Sequence, residues 1–460
     1  MLDEFHEECG VFGISQHHNA AFNCMLGLHA LQHRGQESFG VTSSADGQVY
    51  SYHSGGQVSS VFDNVNEVTR SLPGIYAIGH VRYSTSGSKS GSQPMSRSSR
   101  FGDFAIAHNG NLLNTQELSE RLKKEGCVLT SDIDTELILH LTIISIKNNF
   151  IESLVDALKQ VHGAYSIVAV NKDTVIGVRD PAGIRPLVLG RLGNSYVLAS
   201  ETCALDIINA NLIREVEAGE MIIIDKNGTL TREFPFAKQR STFCIFEYVY
   251  FSRPDSIMKN KSIYSIRKDI GEMLAKESPP DRDAEMVIPI PDSGIPAAIG
   301  YAKQSGLPIE YGIIRNHYIG RTFIQPTAEV RKVRVQLKYN ANKHILKNRN
   351  IILIDDSIVR GSTLKNVISM LRAAGVNKIH LKISSPPVRH SCFYGIDTPI
   401  RKDLIATNFS VERMQEIIGV ESLYFLSIDG LYYAIKGIKR NNEAPQYCDA
   451  CFTGNYPIGQ

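Results

Sequence analysis

The chain has 460 residues, of which 43% are hydrophobic and 21% charged, and its formal net charge is +2. This length predicts about two to four domains with buried cores, and the near-neutral charge excludes bulk attraction to nucleic acid or to membranes. The sequence lacks an apolar run near the roughly 18 residues of a membrane span. The N-terminus MLDEFHEE is too acidic for an export signal, so we expect a cytoplasmic protein.

The first half alternates short apolar segments with small-residue turns. Strands are predicted at Gly10–Ser15, Tyr76–Arg82, Phe104–Ala107, Ala164–Asn171, Val175–Arg179 and Tyr196–Ser200. Helices are predicted at Ala21–His33 and at Ser131–Ile146, the second with Ser131 and Asp132 as its caps. Strands with a layer of helices indicate an α+β or layered-sandwich domain.

Five polar motifs interrupt this half. They are ECGVFGI with Cys9, LQHRGQES with Arg34, GHVRYSTSG with Arg82 and Thr85, AHNGNL with Asn109 and Gly110, and SDIDTE with Asp132. Each alone is weak, because an Asn-Gly pair is usually a turn and a lone cysteine is usually a small buried hydrophobe. A thiol needs a base to act as a nucleophile at neutral pH. An α-amino group, with its ordinary pKa of about 7.7–8.0, would serve if Cys9 were the first residue.

Taken together and in this order, the motifs resemble the glutaminase domain of class II glutamine amidotransferases, which are N-terminal-nucleophile (Ntn) hydrolases with four αββα layers. RDPAGIRPL (Arg179–Leu187) and ASETCALD (Ala199–Asp206) match the branch that uses phosphoribosyl diphosphate, PRPP. The resemblance implies a propeptide at 1–8, whose removal would free Cys9 as the nucleophile, and a glutaminase domain at 9–234. It also implies an oxyanion hole from Asn109 and Gly110, and glutamine-binding residues Arg34, Arg82, Thr85 and Asp132.

The second half contains the stretch NIILIDDSIVRGST, which begins at Asn350. Ile351–Ile354 is typical of a buried parallel strand. Two carboxylates, a small-residue loop, an amphipathic helix and a helix-ending glycine follow: Asp355 and Asp356, Ser357–Thr363, Leu364–Ala374 and Gly375. Loop N–H groups and a helix N-terminus attract anions, and paired acids suit sugar hydroxyls, a hard cation, or both. The alternative is an ordinary strand–turn–helix with surface acids.

The full pattern resembles the PRPP loop of type I phosphoribosyltransferases. That resemblance implies that Asp355 and Asp356 hold ribose hydroxyls and Mg²⁺. It implies that the loop binds PRPP through Ser357, Val359, Arg360, Gly361, Ser362 and Thr363. A second strand–loop–helix unit spans Met286–Ile290, Pro291–Gly294 and Ile295–Ser305. The resemblance implies that it takes the pyrophosphate side, with a contact from Ser293 to Mg²⁺ or pyrophosphate.

A basic stretch, Arg331–Asn340, precedes the acidic pair. It is either a solvated face or, as the resemblance implies, a loop that closes over PRPP with Arg334 and Lys338 on phosphate. Strands beginning at Met286, Ile313, Ile351 and Lys378 predict a parallel α/β sheet with its ligand at the carboxyl ends of the strands.

The eight cysteines favour thiol chemistry or metal binding over disulfides in a reducing compartment. Cys24, Cys127 and Cys203 match no motif and are predicted to be ordinary thiols. By spacing alone, the terminal C-x-x-C pair favours zinc over iron–sulfur. The resemblance instead implies a 4Fe-4S cluster, since one branch of the family carries four cysteine ligands at the matching places: Cys244, Cys392, Cys448 and Cys451. Tyr250, in the same interdomain segment as Cys244, is our candidate for the ammonia path.

The resemblance extends over almost the whole chain and implies a glutamine PRPP amidotransferase, a pentosyltransferase. Such enzymes convert glutamine, PRPP and water to 5-phosphoribosylamine, glutamate and diphosphate, the first committed step of de novo purine (IMP) biosynthesis. Beyond the glutaminase domain it implies an interdomain segment at 235–256, a phosphoribosyltransferase domain at 257–440 and a cluster-binding tail at 441–460. Homotetramer formation and feedback inhibition by purine nucleotides are further implications.

Two alternatives stay open. One is a different class II amidotransferase, which would need another C-terminal domain and is disfavoured by IILIDDSIVRGST. The other is a regulatory protein that binds PRPP or nucleotides through a degenerate active site. It is disfavoured because the motif residues are intact at Cys9, Arg82, Asn109, Asp132, Asp355 and Asp356.

Overall fold

The computed structural model describes residues 6–7, 9–82, 92–316 and 338–459. The first half is built mainly of strands. They are β1 His6–Glu7, β2 Cys9–Ile14, β3 Ser38–Ala45, β4 Gln48–Gly55, β5 Tyr76–Arg82, β6 Met95–Ser99, β7 Gly102–Leu112, β8 Gly163–Asn171, β9 Thr174–Arg179, β10 Val188–Leu192, β11 Ser195–Ala199, β12 Asn211–Glu215, β13 Met221–Ile224 and β14 Leu230–Glu233. The helices are α1 Ala20–Ala30, α2 Val65–Arg70, α3 Thr115–Lys124, α4 Asp134–Ile144, α5 Phe150–Leu158 and α6 Cys203–Asp206.

These strands form two antiparallel sheets that face each other. One sheet has the order β12-β10-β11-β2-β5-β3-β4 and the other β14-β13-β9-β8-β7-β6. Apolar side chains of both sheets meet in one core, with Val11 and Ile78 from the first and Ala107 and Val168 from the second. Helix α1 packs on the outside of the first sheet and helices α3, α4 and α5 on the outside of the second. The predicted four-layer αββα domain is therefore confirmed.

Two local predictions in this half need correction. Helix α4 begins at Asp134, and the residue before it is Ile133, whose side chain makes no capping bond. Ser131 and Asp132 therefore do not cap the helix. The reason is that the Glu136 carboxylate accepts the backbone N–H groups of Thr130 and Ser131, which holds this stretch as a turn. Strand β7 runs from Gly102 to Leu112, beyond the predicted Phe104–Ala107, so Asn109 and Gly110 lie within a strand, opposite Ser166 and Tyr165.

The second half combines short strands with longer helices. Its strands are β15 Phe243–Cys244, β16 Ile257–Met258, β17 Lys261–Ser262, β18 Met286–Pro289, β19 Ile313–Arg315, β20 Tyr339–Ala341, β21 Asn350–Asp355, β22 Lys378–Ile383, β23 Ile396–Asp397, β24 Ser422–Phe425 and β25 Tyr447–Cys448. Its α-helices are α7 Ile263–Glu277, α8 Ile295–Ser305, α9 Lys343–Leu346, α10 Ser362–Ala373, α11 Ile405–Asn408, α12 Val411–Ile418, α13 Ile428–Lys436 and α14 Ala450–Thr453. A π-helix spans Glu247–Phe251.

A parallel sheet with the order β18-β21-β22-β24 forms the centre of this half. The predicted strand at Ile313 exists but belongs elsewhere, since β19 pairs antiparallel with β20. Ile314 is 46% exposed, so this short strand cannot be buried on both faces as an inner parallel strand must be. The fourth strand is β24, which sequence reasoning missed.

The two halves share one apolar core. Ala182 and Ile184 of the first half pack with Phe246, Tyr248 and other buried residues of the segment that follows it. Helices α7 and α8 belong to the same core. Among the described residues, every helix is too short or too polar to cross a membrane.

Candidate active sites

The predicted nucleophile Cys9 opens β2, in the middle of the first sheet. Cys9 is 7% exposed and stands opposite Arg82 on β5. Side chains of directly opposed residues project from the same face with Cβ atoms about 4.5–5.5 Å apart, so the thiol and the guanidinium share one side of the sheet. Gly35 makes this arrangement possible, because a methyl group there would lie 2.5 Å from the backbone nitrogen of Arg82.

The predicted oxyanion hole lies on β7 in the opposite sheet, which packs against β2. Asn109 is completely buried, yet neither polar atom of its side chain has a hydrogen-bond partner among the described residues. A buried amide without partners carries a large desolvation penalty and calls for an explanation, such as a ligand. Gly110 has φ +147°, and a methyl group there would lie 2.0 Å from the carbonyl oxygen of Ala164. Only glycine fits this position.

A buried ion pair fixes the same strand. His108 Nδ1 lies 3.3 Å from Asp134 Oδ1 at the start of α4. Burial lowers the pKa of His108, but the charge of Asp134 outweighs it and holds the pKa above its usual value. Asp134 also accepts the backbone N–H of Leu112 at 3.0 Å. Asp132, the residue predicted to bind the glutamine ammonium, is exposed two positions before this pair.

Arg34 is completely buried and is held by two carboxylates. Its Nη2 lies 2.8 Å from Glu247 Oε2, and its Nε contacts Glu201. Arg185 Nη2 lies 3.1 Å from the other oxygen of Glu247. Burial raises the pKa of Glu247, but the two arginines outweigh it and keep the pKa below its usual value. These contacts favour a positioning role for Arg34, whereas direct contact with glutamine stays a prediction.

Glu247 begins the π-helix of the interdomain segment, and such helices are rare and frequently occur at functional sites. Ser252 Oγ donates to Glu247 Oε2 at 2.6 Å. On its far side the π-helix is held by Arg267 of α7, which donates to the carbonyl oxygens of Tyr248 at 2.9 Å and Ser252 at 2.7 Å. Burial lowers the pKa of Arg267 to about 10, although the charge of Asp356 opposes this shift. The segment thus joins the buried charges of the first half to helix α7 of the second half.

Sequence reasoning named Arg34 and quoted the motifs that contain Arg185 and Glu201, but it did not predict that they form a buried network with Glu247 and Arg267. The signal for Glu247 is a single acid within the aromatic run CIFEYVYF.

The acidic pair lies at the carboxyl end of β21, as predicted. Asp355 Oδ1 accepts the backbone N–H of Asp356 at 3.0 Å, and Asp356 Oδ2 accepts the hydroxyl of Ser357 at 2.5 Å. Gly361, with φ +80°, precedes helix α10, which begins at Ser362 and continues through Thr363. The loop therefore presents the first turn of a twelve-residue helix on the same edge as the acids, a site that favours anions.

Val359 and Arg360 take different positions in this loop. The Val359 side chain is buried and its carbonyl oxygen accepts the N–H of Ile405 at 2.9 Å, so any contact of Val359 with PRPP would be made by the backbone N–H. Arg360 Nη2 lies 3.7 Å from Asp403 Oδ2.

Ser293 follows the neighbouring strand β18. Because Pro289 and Ile354 are paired in the parallel ladder, the loop that carries Ser293 and the acidic pair lie at the same edge of the sheet. A methyl group at Gly294 would lie 2.6 Å from the carbonyl oxygen of Ile354, so this loop packs directly on β21. Asp292 in this loop forms an ion pair with Arg315.

Lys338 stands at the edge of the described segment that follows residue 316. Its carbonyl oxygen accepts the N–H of Asn316 at 2.9 Å, and its ammonium lies 5.0 Å from the ring centroid of Tyr339. Thr85 and Arg334 lie outside the described residues.

The four predicted cluster ligands line one pocket, together with Phe246, Tyr394, Ile396, Thr398, Ala450 and Tyr456. Cys244 and Cys448 are paired directly in the parallel ladder of β15 and β25. Burial raises the pKa of Cys448 and Cys451, and the neighbouring thiols Cys244 and Cys392 raise it further. Within the described residues, no group of three or more His, Cys, Asp or Glu side chains is placed to hold a single metal ion.

The remaining cysteines agree with their interpretation as ordinary thiols. Cys24 and Cys203 are buried in the core beside α1, and Cys127 is partly exposed. Tyr250, the candidate for the ammonia path, is partly buried, and its ring centroid lies 5.6 Å from that of Phe251.

Two family profiles match the chain, "Glutamine amidotransferase domain" over residues 80–206 and "Phosphoribosyl transferase domain" over residues 259–385. The amidophosphoribosyltransferase of Rhizobium etli is 46% identical over 462 residues, which cover 99% of this chain and 92% of the relative. The chain belongs to the amidophosphoribosyltransferase family. The amidophosphoribosyltransferase of Bacillus subtilis is 44% identical, covering 98% of this chain and 94% of that protein.

Two solved structures agree with the fold. The glutamine PRPP amidotransferase from B. subtilis, complexed with ADP and GMP, matches with a TM-score of 0.91 at 42% identity and covers 98% of each chain. A structure of the allosteric regulatory enzyme of purine biosynthesis matches with a TM-score of 0.92 at 41% identity, covering 98% of this chain and 96% of the other.

Proposed function

We propose that this chain catalyses the reaction of its family, in which glutamine, PRPP and water give 5-phosphoribosylamine, glutamate and diphosphate. This is the first committed step of de novo purine biosynthesis. The observation that carries the proposal is the buried Asn109 amide without a described partner, on a strand that packs against the one bearing Cys9. The acidic pair of the second half supplies the matching acceptor site.

Glutamine hydrolysis would use residues of the two facing sheets. With Met1–Glu8 removed, the α-amine of Cys9 would take the thiol proton, and the thiolate would attack the amide carbon of glutamine. The side-chain N–H of Asn109 and the backbone N–H of Gly110 would stabilise the developing oxyanion. Arg82, on the same face as Cys9, would bind the substrate carboxylate with two hydrogen bonds. Asp132 would hold the substrate ammonium, with Arg34 and Thr85 in support.

The second site would bind PRPP at the carboxyl edge of the parallel sheet. Asp355 and Asp356 would hold the ribose hydroxyls, and Ser357, Arg360, Ser362, Thr363 and the backbone of Val359 and Gly361 would surround the 5-phosphate. Arg334 and Lys338 would contact phosphate as well. The oxygen donors Asp355, Asp356 and Ser293 fit a hard cation that keeps several ligands from substrate and water. Mg²⁺ bound there would neutralise the charge of the leaving diphosphate.

We also propose that the chain is of the propeptide-bearing, iron–sulfur type. Four thiols without a carboxylate in one largely apolar pocket fit the donor set of a 4Fe-4S cluster. Such a cluster would tie the interdomain strand β15 to the C-terminal strand β25 and to the loop that carries Cys392, and would act as a structural link.

The remaining features follow from the family. We propose the domain limits 1–8, 9–234, 235–256, 257–440 and 441–460, an ammonia path through the apolar interdomain segment near Tyr250, and a cytoplasmic homotetramer. Because the related B. subtilis structure was solved with ADP and GMP, we propose purine nucleotides as inhibitors of this chain.

The activity is tested by the double substitution Asp355→Ala with Asp356→Ala. We expect it to abolish PRPP-dependent formation of diphosphate with either glutamine or ammonia, while glutaminase activity persists. Synthase activity that survived would refute the PRPP assignment. A wild-type chain that binds PRPP but turns over neither nitrogen donor would favour the regulatory alternative.

The subtype is tested by the intact mass of protein purified without oxygen, with iron and sulfide measured on the same sample. Loss of Met1–Glu8 with about four iron atoms per chain is the expected result. An unprocessed chain with zinc or without metal would contradict the subtype and would leave the PRPP site untouched.

A further inference from the structure

One loop of the second half touches the oxyanion strand of the first. This loop, residues 391–399, contains Gly395, where an added methyl group would lie 2.8 Å from both the Cα and the carbonyl carbon of Gly110. Beside this contact, Asn111 Nδ2 donates to the carbonyl oxygen of Phe393 at 2.9 Å. The loop therefore packs against the backbone of Gly110 and of the residue that follows it.

The same loop also contacts the segment that leads into Cys9. Strand β23 within the loop pairs antiparallel with β1, His6 opposite Asp397 and Glu7 opposite Ile396. The 391–399 loop is thus next to β7, which carries the predicted oxyanion hole, and to the segment that the proposed processing would remove, although it belongs to the other half of the chain.

Hydrogen bonds hold the 391–399 loop in one conformation. Ser391 Oγ donates to the carbonyl oxygen of Pro399 at 2.8 Å, and the N–H of Cys392 donates to Thr398 Oγ1 at 2.6 Å. The buried Tyr394 donates its hydroxyl to the carbonyl oxygen of Ile458 at 2.6 Å. A loop closed on itself and tied to the C-terminal tail can act as a fixed support.

Gly110 is consequently confined from two directions. The carbonyl of Ala164 packs against one side of its Cα and Gly395 packs against its backbone. An oxyanion hole accelerates a reaction only when its donors already point to where the charge develops, and a displacement of about 1 Å can lower the rate by about 10²-fold.

We propose that Gly395 and Asn111 are positioning residues for glutamine hydrolysis, through which the 391–399 loop sets the orientation of the Gly110 N–H. The proposal rests on the proposed function, because that function assigns the oxyanion hole to Asn109 and Gly110. It predicts that the glutaminase site is completed by a loop of the phosphoribosyltransferase half.

The test compares Gly395→Ala with Gly419→Ala. Both glycines have a positive φ, +93° and +83°, so both substitutions introduce similar backbone strain. A methyl group at Gly419, however, meets no described atom within 4 Å. For Gly395→Ala we expect kcat for glutamine hydrolysis to fall about 10- to 100-fold with KM for glutamine within about twofold. We expect Gly395→Ala to retain ammonia-dependent synthase activity. Gly419→Ala should match the wild type in kcat and KM for glutamine hydrolysis and in ammonia-dependent synthase activity.

Asn111→Ala is the second variant, since it removes one hydrogen bond and introduces no clash. A selective loss of glutamine turnover, smaller than that of Gly395→Ala, is expected. If Gly395→Ala also loses ammonia-dependent activity, the result for Asn111→Ala decides the question. A fall in its kcat for glutamine hydrolysis with ammonia-dependent activity retained supports the proposal, and a kcat for glutamine hydrolysis equal to that of the wild type overturns it. Wild-type glutamine turnover in Gly395→Ala overturns it directly. A wild-type protein inactive with both donors would instead refute the proposed function.

Discussion

Glu247→Gln probes the buried charges between the two halves. In the wild type, Arg34 and Arg185 face Glu201 and Glu247, and the four side chains are completely buried. The amide preserves the shape of the side chain but removes one negative charge, which leaves the buried positive charges in excess. Removing one partner of a buried ion pair destabilises a protein by about 3–5 kcal/mol. The amide oxygen can still accept a hydrogen bond from Ser252 or Arg34, so we expect the lower end, about 3 kcal/mol.

The assay is the midpoint of thermal unfolding by calorimetry at a fixed scan rate. For domains of 150–250 residues, 1 kcal/mol corresponds to about 2–4 °C, so Glu247→Gln should lower the midpoint by about 6–12 °C. Glu217→Gln is the matched control, because its carboxylate lies 2.7 Å from Arg232 but both side chains are substantially exposed. Exposed pairs contribute about 0–1 kcal/mol. Equal shifts in the two variants would refute the reasoning that burial makes this network stabilising.

Three further predictions concern other parts of the fold. Asn109→Ala should lower kcat with glutamine by about 10²–10³-fold and leave ammonia-dependent activity intact; parallel loss of both in steady-state assays would contradict the oxyanion role. Burial raises the pKa of Asp180 to about 6, above its unfolded value of about 3.9, so the wild type should lose thermal stability relative to Asp180→Asn as the pH rises from about 4 to 6. A pH-independent difference between those melting temperatures would exclude this effect. Gly300→Ala should lower the melting temperature, because a methyl group there would lie 2.0 Å from the carbonyl oxygen of Lys268 in α7, whereas Gly306→Ala meets no described atom within 4 Å and should change it less.

Local patterns were sufficient to predict the strand, loop and helix of the PRPP motif. Ile351–Ile354 lies within β21, and Gly375 follows the C-terminus of α10 with φ +91°. The information lies within 26 consecutive positions, 350–375, because apolar periodicity and glycine placement act locally. Of the thirteen strands in the two glutaminase sheets, six were predicted in the same way: β2, β5, β7, β8, β9 and β11.

Features that depend on distant partners could not be predicted in the same way. Arg34 and Glu247 are 213 positions apart, so no local pattern signals that they share a buried site. The placement of β19 depends on its pairing with β20, because its composition alone is equally compatible with a parallel strand. The contact of Gly395 with Gly110 arises from the packing of a loop of one half against a strand of the other, and glycine at both positions shows only that space is restricted.

The family resemblance identified chemistry that spacing did not. By spacing alone, Cys448 and Cys451 favoured zinc, and only the family pattern added Cys244 and Cys392. The structure places these four thiols around one pocket, which is a long-range arrangement.

The central claim is that ammonia released at Cys9 is used at the site of Asp355 and Asp356. The most direct test is Cys9→Ala, assayed for PRPP-dependent diphosphate release with glutamine and, separately, with ammonium. We expect the glutamine-dependent reaction to disappear and the ammonia-dependent reaction to continue at a rate close to that of the wild type. Persistent use of glutamine by Cys9→Ala would contradict the assignment of the nucleophile, and loss of the ammonia-dependent reaction would contradict a separate acceptor site.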